Sequence, residues 1–304
     1  MNKLFLIILI FGFTSMINAQ ELVVEKKPAL DNKVLLNVET KAPESPGAHL
    51  LKATVDYQTF HFPIAFYIVL QKEYFENKEK YPVITSLHCR DQMGTDGKGD
   101  GQKGLLGEGF GNLMVNELGM DGRGLSGDMP DKKITPCKDI KFIGVLPQLP
   151  GGNNWEGAPM GGVVVEIINW VEKNYRIDSD RCYLTGYSYA GLGTWAIGMQ
   201  YPERFAAIVP IAARLPPDFE KAPDRLKNVA VWCSVGEGDG DFFASSSKMN
   251  ELFTAAKHPR FHFFVVKNGG HHCYQCVFSN PEFWKWLLVQ KRKLNLELAD
   301  KTKS

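Results

Sequence analysis

A serine that is to attack a carbonyl needs a backbone that thrusts its hydroxyl outward, a base beside it, and a carboxylate to orient that base. Residues 186–191, Gly-Tyr-Ser-Tyr-Ala-Gly, fit the first requirement. They follow an apolar, β-rich run and open a helix-like one, which puts Ser188 on a tight strand-to-helix turn. Such a turn doubles the chain back on itself, so the residues two places either side of the serine must be small. The usual pattern is Gly-x-Ser-x-Gly; here Ala190 stands at the last glycine and Gly191 follows, which keeps the turn feasible. The helix opening after Ser188 turns its positive end toward the site, and the Tyr189 backbone N–H becomes one donor for an oxyanion. An ordinary serine N-cap has the same local pattern, so the remaining partners decide.

In hydrolases built on this turn, the acid and then the histidine follow the serine along the chain. After the apolar run Val229–Val235 comes Gly-Glu-Gly-Asp-Gly-Asp, three carboxylates in one turn. Asp239 is the preferred acid and Asp241 the alternative, and the two carboxylates that do not serve are solvated turn residues. After the run Arg260–Lys267 comes Asn-Gly-Gly-His-His. His49, His61 and His88 precede the serine, and His258 and His262 lie at or inside the last strand. That leaves His271, flanked by glycine on a loop, as the expected base, with His272 turned away.

Residues of this kind must be held by a sheet. Strand-like runs at Phe62–Leu70, Tyr81–His88, Ile140–Pro147, Arg181–Tyr187, Ala206–Ile211, Val229–Val235 and Arg260–Lys267 alternate with helical stretches at Met160–Tyr175, 188–200, Ser245–Ala256 and Pro281–Lys293. This alternation predicts an α/β protein, with a mostly parallel sheet covered by helices on both faces. In such a sheet the reactive groups belong on loops after strands, where Ser188, Asp239 and His271 all fall. Only 51 residues separate Ser188 from Asp239, which leaves no room there for a large cap domain and favours an open cleft for bulky or polymer-attached substrates. The glycine-dense stretch Gly94–Gly127 interrupts the alternation and reads as a long surface loop with a short helix near Phe110–Leu118.

The 304 residues carry 35 Lys and Arg against 34 Asp and Glu, and this balance gives no electrostatic case for a nucleic-acid partner. Lys3, the apolar run Leu4–Phe13 and the smaller residues up to Ala19 read as a signal peptide over 1–19, implying a secreted or periplasmic protein without stable membrane insertion after cleavage. Residues 20–47 read as a loosely packed lead-in, 48–295 as the main domain and 296–304 as a polar tail. Export would permit disulfides among the six cysteines, with no pairing legible; Cys182 and Cys233 lie in apolar strands as buried hydrophobes.

Taken together, several segments resemble the esterase and depolymerase branch of the α/β-hydrolases, which includes feruloyl and acetyl-xylan esterases, polyhydroxyalkanoate depolymerase-like proteins and phospholipase/carboxylesterase-like proteins. They are Tyr81-Pro82 leading to Leu87-His88, Pro147-Gln148 followed by Trp155, Gly186–Gly191, Tyr201–Ala207, Gly236 with Asp239, and Gly270-His271 with Pro281 and Trp286. The resemblance spans about Phe62 to Leu288. It implies a serine esterase with the triad Ser188, Asp239 and His271, no cofactor, and Trp155 near the substrate cleft. Such relatives usually carry His-Gly after the third strand of the fold, where the loop presents a second oxyanion N–H. This chain reads His88-Cys89-Arg90-Asp91, so the oxyanion and substrate-binding loop is carried by Cys89 and Arg90, with Arg90 a candidate for an acidic group on the substrate.

Other signals are weaker. Gly99–Gly104 matches Gly-x-Gly-x-x-Gly but neither follows a strand nor opens a long helix. Asp96 and Asp100 suggest a calcium loop, yet Lys98 takes a ligand position. His271-His272-Cys273-x-x-Cys276 has no second ligand cluster, so no metal is expected. Two alternatives remain: a prolyl-oligopeptidase-type serine peptidase, against which no propeller precedes the hydrolase region, and a non-catalytic binding protein on the same fold.

Overall fold

A computed structural model describes residues 33–98, 104–107, 109–111, 114 and 140–292. The expected signal peptide, the polar tail and most of the Gly94–Gly127 loop lie outside these residues.

Nine strands form one sheet in the order β1-β2-β3-β5-β4-β6-β7-β8-β9. β1 (Val34–Val38), β2 (Gly47–Tyr57) and β3 (Phe60–Leu70) are antiparallel neighbours. β3 also runs antiparallel to β5 (Ile143–Gln148). From β5 onward, through β4 (Tyr81–Ser86), β6 (Ile177–Tyr187), β7 (Ala207–Ile211), β8 (Ala230–Gly236) and β9 (Phe261–Val266), every pair is parallel. The inner strands β4, β5, β7 and β8 are buried along their whole length, as a sheet covered on both faces requires.

Helices Met160–Asn174, Tyr189–Gln200 and Gly240–Ala255 contribute Val163, Ile167, Trp195 and Phe253 to one core. Helices Tyr274–Phe278 and Pro281–Val289 contribute Phe278, Phe283 and Trp284 to a second core. This is the α/β-hydrolase fold with helices on both faces. Residues 188–271 are all described, and no cap-sized insertion falls among them.

The elements that depart from the sequence reading include β2, which none of the seven strand-like runs covers, because its buried Leu51, Ala53 and Val55 alternate with Lys52 and Thr54 over five residues only. The lead-in assigned to 20–47 contains β1, whose burial alternates along Val34, Leu36 and Val38 as it pairs with β2. The Cys273-x-x-Cys276 stretch opens a short helix, Tyr274–Phe278, with Cys273 as its N-cap. Cys182 and Cys233 are buried free thiols, and burial pushes the Cys182 thiol up to about 11 and the Cys233 thiol to about 12. They behave as small apolar side chains.

Candidate active site

The carboxyl ends of β6, β8 and β9 each deliver one functional side chain. Ser188 follows β6 directly and precedes the helix that starts at Tyr189. Its backbone sits at φ 61° and ψ −120°, a conformation a non-glycine residue adopts only when its surroundings impose it. They impose it here: the Ser188 N–H donates to Ile211 O at 2.8 Å, and the Leu192 N–H donates back to Ser188 O at 3.1 Å. The two arms of the turn meet at Gly186, where a Cβ would stand 2.5 Å from Ala190 O and 2.8 Å from the Ala190 side chain. Alanine at 190 is therefore tolerated because glycine at 186 leaves the space.

Asp239 and His271 come from two loops that are bonded to each other. The Glu237 N–H donates to Val266 O at 3.0 Å and the Gly238 N–H to Gly269 O at 2.8 Å. The contact is so close that a Cβ on Gly236 would stand 2.2 Å from Gly270 O. His271 Nδ1 lies 3.0 Å from both Asp239 oxygens, and His271 Nε2 lies 2.8 Å from Ser188 Oγ. These partners assign Nδ1–H as the donor to the carboxylate and Nε2 as the acceptor from the serine hydroxyl. The Asp239 side chain is 7% exposed, whereas that of Asp241 is 82% exposed and lies 3.7 Å from Arg214. Of the two carboxylates left open by the sequence, Asp239 is the one on the histidine. Phe242 and Tyr187 flank the His271 ring at centroid distances of 4.3 and 5.2 Å. His272 is exposed and turned to the Tyr187 hydroxyl at 3.0 Å, away from Ser188.

The loop after β4 is built differently from a glycine-rich one. Cys89 caps the turn Arg90–Gln92, and its N–H donates to Gln92 Oε1 at 3.3 Å while its thiol donates to Tyr187 O at 3.1 Å. The Cys89 N–H is thus already engaged. Arg90 and Tyr189 each occupy the first position of their helical turn, where a backbone N–H has no partner within the helix. The two residues are neighbours, with the Arg90 guanidinium 4.9 Å from the Tyr189 ring centroid.

His88 braces this loop from below. It is buried, accepts the Leu149 N–H at Nε2 at 2.8 Å, and donates from Nδ1 to Cys89 O at 2.6 Å. Burial lowers its pKa to about 4, and protonating Nε2 would set an N–H against the Leu149 N–H. An unfolded chain takes up this proton near 6.5, so the His88 contribution to stability is complete above pH 6.5 and is lost as the pH falls toward 4. The whole effect is about 3 kcal/mol. Urea midpoints between pH 7 and 4 are expected to fall less steeply in His88→Gln than in wild type.

Trp155 differs from expectation. It has no exposed surface and does not line the cleft. Its Nε1 donates to His88 O at 3.0 Å, its ring meets His88 edge-on at 5.2 Å, and it packs against Gly193 of the helix that follows Ser188. It supports both the nucleophile helix and the loop after β4. Sequence reading placed it at the site but gave no signal of its burial.

This combination of a parallel sheet, a strained serine turn and a histidine–carboxylate pair on later strands defines the α/β-hydrolase class. Residues 147–293 match the Esterase family, described as "Putative esterase". That match takes in just under half of the chain, and the fold around it is that of the α/β-hydrolases. No curated protein matches it. Among solved structures it is similar to a thermostable esterase (TM-score 0.61, 22% identity), covering 80% of this chain but only 63% of that one. It is also similar to a ferulic acid esterase (TM-score 0.55, 17% identity, 81% and 99% covered). A third is a ferulic acid esterase from the anaerobic fungus Anaeromyces mucronatus (TM-score 0.53, 16% identity, 79% and 91% covered). At these identities the likeness establishes the fold.

Proposed function

We propose that the chain is an exported serine esterase that cleaves carboxylic esters through an acyl-enzyme on Ser188. The observation that carries this reading is the continuous line from Ser188 Oγ through the His271 ring to Asp239, at 2.8 and 3.0 Å. Ser188 Oγ attacks the ester carbonyl as His271 Nε2 takes its proton, and Asp239 holds the imidazolium in place. The oxyanion is received by the Tyr189 and Arg90 backbone N–H groups, each worth about 10²–10³ in rate at such a site. Collapse breaks the carbonyl–alkoxy bond, His271 gives its proton to the leaving alcohol, and water then repeats the sequence to free the acid.

The substrate class we infer is an acyl ester on a bulky or polymeric alcohol such as a carbohydrate. It is supported by the absence of a cap-sized insertion between Ser188 and His271 and by the similarity to ferulic acid esterases. Export rests on the leader-like residues 1–19.

A fluorophosphonate probe is expected to label wild-type protein and not Ser188→Ala, with p-nitrophenyl acetate turnover lost in parallel. Folded wild-type protein that takes no label would instead support the binding-protein reading, with the rebuilt loop at Cys89 as its cause.

A further inference from the structure

The loop after β4 carries a cation, Arg90, beside the residue that follows the nucleophile. Arg90 is exposed, and its guanidinium lies 4.9 Å from the centre of the Tyr189 ring, one residue from the nucleophile. Burial raises the pKa of the Tyr189 phenol, so the ring beneath the guanidinium stays neutral. Two carboxylates share this corner: Asp91, exposed beside it, and Glu156, whose charge acts on the same phenol. Neither pairs with Arg90 among the described residues.

The contrast with Arg214 is informative. That guanidinium flanks the site from the other side, 5.0 Å from the Phe242 ring, but it already faces Asp241 at 3.7 Å. Arg90 is held by the face of the Tyr189 ring, which orients the guanidinium without neutralising its charge. An oriented guanidinium is the group best suited to a carboxylate, which it can take with two parallel hydrogen bonds.

We propose that Arg90 is a specificity-determining residue that selects esters carrying a carboxylate near the scissile bond. This rests on the acyl-enzyme reading above and names the substrate chemistry within it. Binding the carboxylate at Arg90 places the ester carbonyl over Ser188, with the Arg90 backbone N–H at the oxyanion and its side chain on the substrate's charge. The carboxylate can sit on the acyl part or on the alcohol part.

The test compares kcat/KM for three esters: p-nitrophenyl acetate, neutral; mono-p-nitrophenyl glutarate, with the carboxylate on the acyl side; and 4-acetoxybenzoate, with it on the leaving side. Wild type is expected to prefer one anionic ester once intrinsic reactivity is divided out. Arg90→Ala, which keeps the backbone N–H, is expected to lower the anionic-to-neutral ratio about tenfold, chiefly through KM, and Arg90→Lys to restore part of it. The probe whose ratio falls tells which side carries the charge. A ratio unchanged in Arg90→Ala for both probes overturns the proposal. An equal fall in Arg214→Ala also overturns it, because that pattern reports a general field rather than a contact.

Binding separates this proposal from the acyl-enzyme reading. Calorimetry on Ser188→Ala with monomethyl glutarate against dimethyl glutarate reads the carboxylate without turnover. Preference for the monoester, lost on adding Arg90→Ala, upholds the site even if wild type turns over no ester. Equal binding of the two removes the site even if turnover is normal.

Discussion

Asp239→Asn is expected to lower kcat about ten-thousandfold, with KM little changed, whereas Asp241→Asn is expected to stay within about twofold of wild type. The sign follows from the tautomer. Asp239 accepts the Nδ1 proton of His271 at 3.0 Å, which leaves Nε2 bare to receive the Ser188 proton. An asparagine amide would present an N–H to Nδ1 and drive the ring proton to Nε2, where it blocks the serine. Asp241 reaches none of these atoms and faces Arg214 in solvent. Steady-state kinetics of the two variants on p-nitrophenyl acetate measure the difference. Comparable losses in both would mean that the carboxylates share the role and that the line through Asp239 is not the working one.

The second large effect concerns stability. Trp155→Ala is expected to cost about 4 kcal/mol, measured as a shift in urea unfolding free energy. The residue is fully buried and no neighbouring backbone is free to collapse into the space, since it lies between the helix at Gly193 and the His88 ring. Removal also strips the Nε1 donor from His88 O. Trp155→Phe refills most of the volume and is expected to retain most of the stability while lowering kcat, because the His88 carbonyl then loses its anchor. A cost below about 1 kcal/mol in the alanine variant would show that the loop after β4 does not depend on this ring.

The parts of the site that could be read in the sequence are those fixed by local punctuation. Ser188, Asp239 and His271 each stand just past an apolar run and beside glycine, and the structure brings the three together. Choosing Asp239 over Asp241 required three dimensions, because the two lie a single residue apart and differ in whether they face β9 or the solvent. The family resemblance puts Trp155 near the cleft, but its burial depends on a carbonyl 67 residues earlier, which no local pattern encodes. β1 escaped notice for a related reason. Its alternation is short and lies beside a Pro- and Lys-rich stretch, and only the partner strand makes its pattern visible. Cys89 stood out in sequence as a departure from glycine and Arg90 as a cation beside it, but the orientation of Arg90 by Tyr189 did not.

The bonds between the loops after β8 and β9 join the mounting of the acid to that of the base. Glu237 and Gly238 are tied to Val266 and Gly269, while Ser188 is tied to β7 through Ile211 in the middle of the sheet. β9 is the outermost strand on that side and is only partly buried. When the margin of the sheet frays, the histidine on the loop after β9 therefore leaves first, while Asp239 behind the buried β8 and the serine stay with the rigid centre. The base is thus the member of the three held at the margin, so a partly loosened molecule holds an idle serine rather than a weakly active one.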